Sequence, residues 1–448
     1  MSMKMMRVQR LELTHFRGIR HLTLDFPQKM TVLVGVNGAG KTSILEALRA
    51  ALALLLQVVQ EGVSEDEETR EARHAFQESY IDQAVTGRAL SPYIQESDIQ
   101  VGQRDLSLAV DASIDRGDLN LRITGHSTLP GEIALRAASD KLDKLTFELA
   151  VRVRHDPRIP FPLAIYYAAR HSAARGDPYS EEGDFDNQFA AYEHALTGSG
   201  LSSASAFVSW FRRHEDYENE KRIDDNDFRD SQLEAVRRAV EKLLPEFSAP
   251  RIRRQPMRMV VRKDDTEVEL RHLSDGERYL LTLGADIARR LALANPAAEN
   301  PLACSAIILI DEIETHLHPS WQRRVIPALA SAFPNCQLII STHSPQVLSN
   351  VRPECIYLLT QEDGELRVLR PEASFGRDSN RILEDIMDVD ERPSDIKQKL
   401  SAYFYLIDQG KLEEARALRR ELESLIGPDE PEFTRADALM RTRELLSR

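Results

Sequence analysis

Residues 35–42 read Gly-Val-Asn-Gly-Ala-Gly-Lys-Thr, which matches the pattern G-x-x-x-x-G-K-[ST] of a phosphate-binding loop. Residues 30–34 before it resemble a strand, and the residues from 41 to 59 are nearly all apolar at helical spacing. Glycine-rich backbone N–H groups can surround phosphate oxygens, and the first turn of a helix adds positive potential. The stretch therefore predicts a strand, a phosphate-binding turn and a buried helix of an α/β fold.

The loop also predicts which side chains contact a nucleotide. The Lys41 ammonium is expected to reach the terminal phosphates of ATP, and the Thr42 hydroxyl is expected to bind Mg²⁺. A glycine-rich turn without a ligand is the alternative, and the flanking strand and helix argue against it. The predicted nucleotide-binding residues of the loop are Asn37, Gly38, Gly40, Lys41, Thr42 and Ser43.

An acidic pair follows the most apolar strand candidate. Residues 306–310 are continuously apolar, which is typical of a strand covered on both faces, and Asp311 and Glu312 come directly after them. We expect Asp311 to bind Mg²⁺ and Glu312 to act as the catalytic residue that polarises the attacking water. Acidic pairs at strand ends are common, but the phosphate-binding loop supplies a reason for this one.

Residues 273–277 resemble the signature motif of ABC-type ATPases, with Asp275 in place of a glycine and Glu277 in place of a glutamine. The resemblance implies that Ser274, Gly276 and Glu277 act in trans, on the nucleotide held by a second subunit. The alternative is a capping box, in which Ser274 and Glu277 begin a helix. Both interpretations can hold together.

His343 follows a further strand candidate, residues 333–340. A lone histidine is more often structural, but its position after the acidic pair matches the switch histidine of ABC-type ATPases. We therefore expect His343 to be a second catalytic residue that contacts the γ-phosphate.

Two further site residues rest on weaker patterns. Residues 14–19 resemble the "nFRgi" of the same group, which implies that Arg17 approaches the nucleotide phosphates. A glutamine that completes the metal shell is expected before the strand at 105, where Gln95, Gln100 and Gln103 are all candidates. Gln100 is our choice among them.

These motifs, in this order, make the chain similar to the ABC-type ATPase heads of SMC, RecF and OLD proteins. Residues 311–319 resemble "DEiE.hLHP" of RecF-like and OLD-like proteins, and roughly 230 residues separate the phosphate loop from the signature. We expect a mixed sheet flanked by helices, with an antiparallel part, an inserted helical subdomain and a helical C-terminal module. The predicted domains are 1–170 and 249–390 for the head, 171–248 for the insertion and 391–448 for a partner-docking module.

The strand and helix pattern outside the motifs is less regular. Alternating residues predict strands at 8–13, 22–26, 105–114, 119–123, 146–153 and 163–167, and two short strands at 251–261 and 267–270. Helical spacing predicts three helices in the tail, at 395–407, at 412–426 and after Pro428.

Several segments are similar to PtuA, the ATPase of Septu anti-phage systems and of related retron cassettes. These segments are residues 210–213, 218–219, 375–383, 397–411 and 413–416. The resemblance implies a bacterial defence ATPase that forms a homodimer and restrains an HNH nuclease of the PtuB type. A RecF-like DNA repair ATPase and an OLD-like ATPase-nuclease are the alternatives.

A nuclease site within the chain has little support in the sequence. Asp388-Val389-Asp390 has the spelling of a Toprim metal pair but follows a helical segment, and all twelve histidines lie at or before His343. We therefore assign cleavage to a partner.

Composition limits the remaining classes of protein. The net charge of -14 argues against binding DNA by overall charge, although a basic cluster at 251–263 leaves local DNA contact open. Its alternation fits a solvated strand face better.

The longest apolar run, 44–59, contains charged residues, so we expect no membrane span. The three cysteines are interpreted as buried thiols of a cytoplasmic protein. They are Cys304, Cys336 and Cys355.

Overall fold

The computed structural model describes residues 6–27, 29–64, 90, 92–114, 117–129, 131–139, 141–156, 158–169, 188–198, 204–362, 364–387 and 389–446. Within them the chain forms two compact units, divided between Arg377 and Asp378. The division falls inside the segment 249–390 that the sequence analysis assigned to the head. Asp388, the first residue of the Toprim-like spelling, lies outside the described residues.

The first unit combines strands with helices. The strands are β1 (Arg7–Phe16), β2 (Ile19–Asp25), β3 (Met30–Val34), β4 (Asp105–Ile114), β5 (Gly117–Leu129), β6 (Glu132–Ser139), β7 (Ala164–Tyr167), β8 (Phe247–Arg254), β9 (Met257–Lys263), β10 (Thr266–Glu269), β11 (Ile307–Ile310), β12 (Gln337–Thr342), β13 (Ile356–Glu362) and β14 (Glu365–Leu369). The helices are α1 (Lys41–Ser64), α2 (Leu142–His155), α3 (Ala204–Asp224), α4 (Ser231–Leu243), α5 (Asp275–Ala294), α6 (Pro319–Ala332) and α7 (Pro345–Leu348). The predicted α/β class with an antiparallel part is confirmed.

A six-stranded sheet of order β14-β13-β3-β12-β11-β7 positions the predicted site. Its strands β13, β3, β12, β11 and β7 are parallel, and β14 adds an antiparallel edge. Every residue of β11 and β12 is buried, as a strand covered on both faces requires. Because the carboxyl ends of parallel strands meet at one edge, the residues after β3, β11 and β12 lie together there.

A five-stranded antiparallel sheet, of order β2-β1-β4-β5-β6, packs its apolar face into the same core as α1. Leu11, Leu13, Leu108 and Ile123 are fully buried on that face, and alternate residues of β5 are exposed. The alternation that predicted these strands is therefore real.

The predicted strand at 146–153 is wrong, because this segment lies inside helix α2. Apolar residues at 142, 145 and 149 also recur at helical spacing, and a short apolar run does not distinguish the two periods.

The prediction of a single strand at 251–261 is also wrong. The chain turns back at Gln255-Pro256 and forms β8 and β9, which join β10 in a three-stranded sheet. Proline has no N–H to give to a strand ladder, so the extended run is interrupted there.

Helices α3 and α4 lie in the segment 171–248 for which a helical insertion was predicted, and they belong to the first unit. Trp210 is completely buried, as expected for a packing residue, and Leu233, Val236 and Val240 form the buried face of α4. Asp230 begins α4 by accepting the Leu233 N–H at 2.7 Å.

All the regular secondary structure in the described part of the second unit is helical. It contains α8 (Ser379–Asp385), α9 (Ser394–Asp408), α10 (Leu412–Ile426) and α11 (Pro431–Leu446). Leu400, Tyr403, Leu422 and Phe433 form its core with smaller residues of the same helices. Gly427 ends α10 with a φ of 85°, which a glycine adopts without strain. The three predicted tail helices are confirmed.

One helix of the described chain, at Lys41–Glu61, is long and apolar enough to span a membrane by length and composition. Of its most apolar window 72% is buried inside the protein, because this is the core helix α1.

Candidate functional site

The loop between β3 and α1 has the backbone of a phosphate cradle. Gly38 and Gly40 have φ values of 81° and 92°, which L side chains rarely adopt, and α1 begins directly after them at Lys41. Asn37 is exposed at the outer part of the loop, and Ser43 is half-buried in the first turn of α1. The first N–H groups of a helix have no partners within the helix, so they are available to an anion held by the loop.

Lys41 points into this loop rather than into solvent. Its side chain is buried, and Nζ donates to the carbonyl oxygens of Gly35 at 2.9 Å and Val36 at 3.0 Å. Burial lowers the pKa of Lys41, and the charge of Asp311 opposes this shift. A lysine in this place is a cation held within a phosphate-binding turn.

Asp311 receives two hydroxyl groups at the end of β11. Thr42 Oγ1 donates to Asp311 Oδ2 at 3.0 Å, and Ser341 Oγ donates to Oδ1 at 2.5 Å. Burial raises the pKa of Asp311, while these two hydrogen bonds act in the opposite direction. Hydroxyl and carboxylate oxygens are the ligands that Mg²⁺ prefers, so Thr42 and Asp311 fit this ion.

Glu312 and His343 lie beside this pair. Glu312 has a φ of 49°, its N–H donates to Ser341 Oγ at 2.7 Å, and its Oε1 is 4.0 Å from His343 Nε2. Burial, and then the charge of Lys41, lowers the pKa of His343 from its ordinary value of 6.5. The lowered pKa favours the neutral imidazole of His343 at pH 7, and the Glu312 side chain beside it is partly exposed.

Glu314 is a residue of this site that the sequence reasoning did not assign. Its Oε2 accepts from Thr342 Oγ1 at 2.7 Å, and its Oε1 accepts the His343 N–H at 2.5 Å. Glu314 thus fixes the segment that carries the histidine. The signal was its place two residues after Glu312 in the "DEiE" spelling.

The predicted signature segment begins α5. Ser274 Oγ accepts the Glu277 N–H at 3.4 Å, and Glu277 Oε2 accepts the Ser274 N–H at 3.0 Å, so the capping box is present. A Cβ on Gly276 would lie 2.8 Å from the carbonyl oxygen of His316. Gly276 therefore permits the start of α5 to pack against the segment that follows Glu312.

Comparison with known proteins adds the family. The profile of a family described as "AAA domain, putative AbiEii toxin, Type IV TA system" matches residues 30–349, which include the phosphate loop, the signature segment, the acidic pair and His343. The chain belongs to this AAA-domain family. The "Retron Ec83 probable ATPase" of Escherichia coli is 29% identical, over 95% of this chain and 85% of the relative.

Two more known proteins are similar to this chain, one over a short part of it and one at low sequence identity. The "Septu protein PtuA" of Bacillus thuringiensis is 30% identical over 28% of this chain and 33% of the relative. A solved structure described as "SMC head domain from Thermotoga maritima" is 15% identical over 82% of this chain and 100% of that chain, with a TM-score of 0.40. The predicted resemblance to PtuA-type and retron ATPases is confirmed.

Arg17 and Gln100 lie together at the edge of the five-stranded sheet of the AAA-domain head. Arg17 Nε donates to Asp98 Oδ1 at 2.8 Å, and the Gln100 N–H donates to the His15 carbonyl at 2.9 Å. Ile19, in the same turn as Arg17, approaches Gly40 of the phosphate loop. Among the described residues, neither predicted side chain hydrogen-bonds to the loop or to Asp311.

A buried ion cluster connects α5 of the AAA-domain head to the site. Asp286 Oδ2 accepts from Tyr167 Oη at 2.9 Å and from Arg290 Nε at 2.8 Å, and Arg289 lies 3.3 Å from Oδ1. The Tyr167 carbonyl in turn accepts the Asp311 N–H at 2.8 Å. The only sequence signal was three charged residues within the otherwise uncharged stretch 279–294 of this helix.

The basic cluster at 251–263 pairs with acids of the same AAA-domain chain. Arg251 and Arg253 contact Glu267, and Arg254 contacts Glu215. The cluster is therefore largely neutralised where it stands, which favours the solvated strand face.

Proposed function

We propose that the protein hydrolyses ATP to ADP and phosphate in a site that a second copy of the chain completes. The observation that carries this proposal is the arrangement at the ends of β3, β11 and β12. There Asp311 holds the Thr42 hydroxyl, and Glu312 lies 4.0 Å from His343. Membership of the AAA-domain family and the name of the retron relative support the same activity.

Each residue has a role that its geometry allows. The loop and Lys41 bind the β- and γ-phosphates, and the partly exposed Glu312 carboxylate polarises the attacking water. His343 donates a hydrogen bond to the γ-phosphate as charge develops on its oxygens. Thr42 and Asp311 would hold Mg²⁺, and the bound ion would supply positive charge that offsets the negative charge of the phosphates. Arg17 and Gln100 remain predictions for this site.

The second copy contributes the signature segment. We infer that Ser274, Gly276 and Glu277 act on the γ-phosphate of ATP bound to the partner subunit, because a helix start has a positive potential that favours an anion. ATP then binds both copies at once, so its hydrolysis changes the assembly of the protein.

We further propose a role in bacterial anti-phage defence, in the cytoplasm, in which ATP-dependent assembly controls an HNH nuclease of the PtuB type. The support is the similarity to retron and Septu proteins, and the second unit is our candidate for the docking surface. Co-purification with an HNH protein encoded by the neighbouring gene tests this role. If the same amount of the HNH protein co-purifies with Glu312→Gln and with Lys41→Ala as with the unchanged protein, control by ATP is contradicted.

Hydrolysis and assembly are tested by Glu312→Gln. This variant is expected to bind ATP as the unchanged protein does, to lose at least about 100-fold in turnover, and to double its molar mass in light scattering when ATP is added. Lys41→Ala is the control, since it should neither bind ATP nor change mass. Undiminished turnover in the Glu312 variant would refute the role of Glu312.

A further inference from the structure

A lysine from the three-stranded sheet forms an ion pair with the signature segment. Lys263 Nζ, at the end of β9, is 2.5 Å from Glu277 Oε1. The other oxygen, Glu277 Oε2, accepts from Ser274 Oγ at 2.8 Å and from the Ser274 N–H at 3.0 Å. One carboxylate thus connects the lysine to the signature serine.

The position of Lys263 is set by its surroundings. Its Nζ lies 5.5 Å from the centre of the Phe247 ring, and Phe247 is the residue opposite Lys263 in the β8–β9 ladder. Phe247 is fully buried, so the ring is a fixed support for the lysine stem.

Both partners are charged at neutral pH. The hydrogen bond to Glu277 raises the pKa of Lys263. Burial opposes ionisation of Glu277, but hydrogen bonds from Lys263 and Ser274 outweigh it and lower the pKa of Glu277.

Two acids in this segment create an electrostatic difficulty for a loop that approaches a triphosphate. Asp275 and Glu277 flank Gly276, and like charges brought together across an interface are strongly unfavourable. Asp275 is exposed and pairs with Arg278 of the same helix. Glu277 depends instead on a cation from another element.

We propose that Lys263 is a positioning residue for the composite site. It neutralises Glu277 and orients its carboxylate on Ser274, so that the signature segment can approach the triphosphate bound to a second copy. This inference rests on the proposed function. It also gives the three-stranded sheet a role. Strand β9 carries Lys263, the cation that neutralises Glu277, and Glu277 stands where the signature motif has a glutamine.

The charge at position 277 provides the decisive test. Lys263→Met keeps most of the stem and removes the charge, and Glu277→Gln removes the charge that needs neutralising. We expect Lys263→Met to lower kcat for ATP hydrolysis about tenfold, with unchanged binding of ATP to the full chain, because the phosphate loop of the same chain holds the nucleotide.

The double variant separates electrostatics from packing. In Lys263→Met/Glu277→Gln, kcat is expected to return to within about twofold of the Glu277→Gln single variant, because no unpaired carboxylate remains. Arg262→Met, one residue away on the same strand, is the control and should leave kcat unchanged. The melting temperature of each variant shows whether it is folded.

The outcomes are distinguishable. If Lys263→Met is as active as the unchanged protein, or the double variant is no more active than Lys263→Met, this inference is wrong. If Glu312→Gln does not assemble when ATP is added, the proposed function itself fails, whatever Lys263 does.

Discussion

At the scale of residues, the site depends on side chains that hold other side chains. Asp311 is held by Thr42 and Ser341, and the His343 segment is held by Glu314. The motif spelling predicted Asp311 and His343 as site residues because their order along the chain is distinctive. It did not predict the contacts of Ser341 and Glu314, because these hydrogen bonds join residues far apart in the sequence.

The contribution of Glu314 can be measured with one substitution. Glu314→Gln places an amide where two donors, Thr342 Oγ1 and the His343 N–H, now find acceptors, so one of them loses its partner. We expect kcat to fall about tenfold or more, with ATP binding retained, because the histidine is misplaced. Steady-state kinetics and nucleotide titration provide both quantities.

The matched control for Glu314 is Thr342→Ser, which keeps a hydroxyl donor. It should retain most of the activity. Equal loss in both variants would show that packing around Thr342, and not the carboxylate of Glu314, positions the histidine.

At the scale of elements, the sequence predicted the strands that have a continuous or an alternating pattern of apolar residues. The run 306–310 became β11 and the alternation at 105–114 became β4. The strand predicted at 146–153 was wrong, because its apolar residues fit both the strand period and the helix period. The segment forms helix α2, which packs against α1. The single strand predicted at 251–261 was wrong for a different reason. The alternation continues on both sides of Gln255-Pro256, so the pattern does not reveal the turn there.

Helix α5 depends on its buried ion cluster for stability. Asp286 is the carboxylate that faces Arg289 and Arg290, and all three are buried. Asp286→Asn would leave two buried guanidinium groups without a counter-charge, so we expect a loss of about 3 to 5 kcal/mol in the free energy of unfolding. Urea denaturation measures it.

The exposed Asp275 offers the control on the same helix. Asp275→Asn removes the carboxylate of an exposed pair with Arg278 and should change the free energy of unfolding by less than about 0.5 kcal/mol. Similar losses in the two variants would contradict a special role for the buried cluster.

The cluster also predicts a pH dependence. Burial opposes ionisation of Asp286, but the charges of Arg290 and Arg289 outweigh it and lower its pKa below 3.8. Its contribution to stability is therefore complete above about pH 5 and is lost as the pH falls through the lowered value. The difference in unfolding free energy between the unchanged protein and Asp286→Asn should accordingly shrink only in strong acid.

At the scale of the whole molecule, ATP is proposed to join two copies. The net charge of -14 opposes close approach of two copies, and bound nucleotide with Mg²⁺ and the helix start at Ser274 would have to overcome this repulsion. No pattern in one sequence reports such an assembly directly. The likeness of residues 273–277 to a signature motif and the resemblance to PtuA are what indicate it.

The central claim is that each site takes its phosphate loop from one copy and its signature from another. Lys41→Ala and Ser274→Arg should each be inactive alone, and mixing them in equal amounts should restore activity, because a mixed dimer contains one complete site, with the phosphate loop of the Ser274→Arg copy and the signature of the Lys41→Ala copy. Lys41→Ala mixed with Glu312→Gln is the control and should stay inactive, since both changes lie on the phosphate-loop side. Recovery in the first mixture alone is the predicted result, and no recovery in either mixture would contradict the composite site.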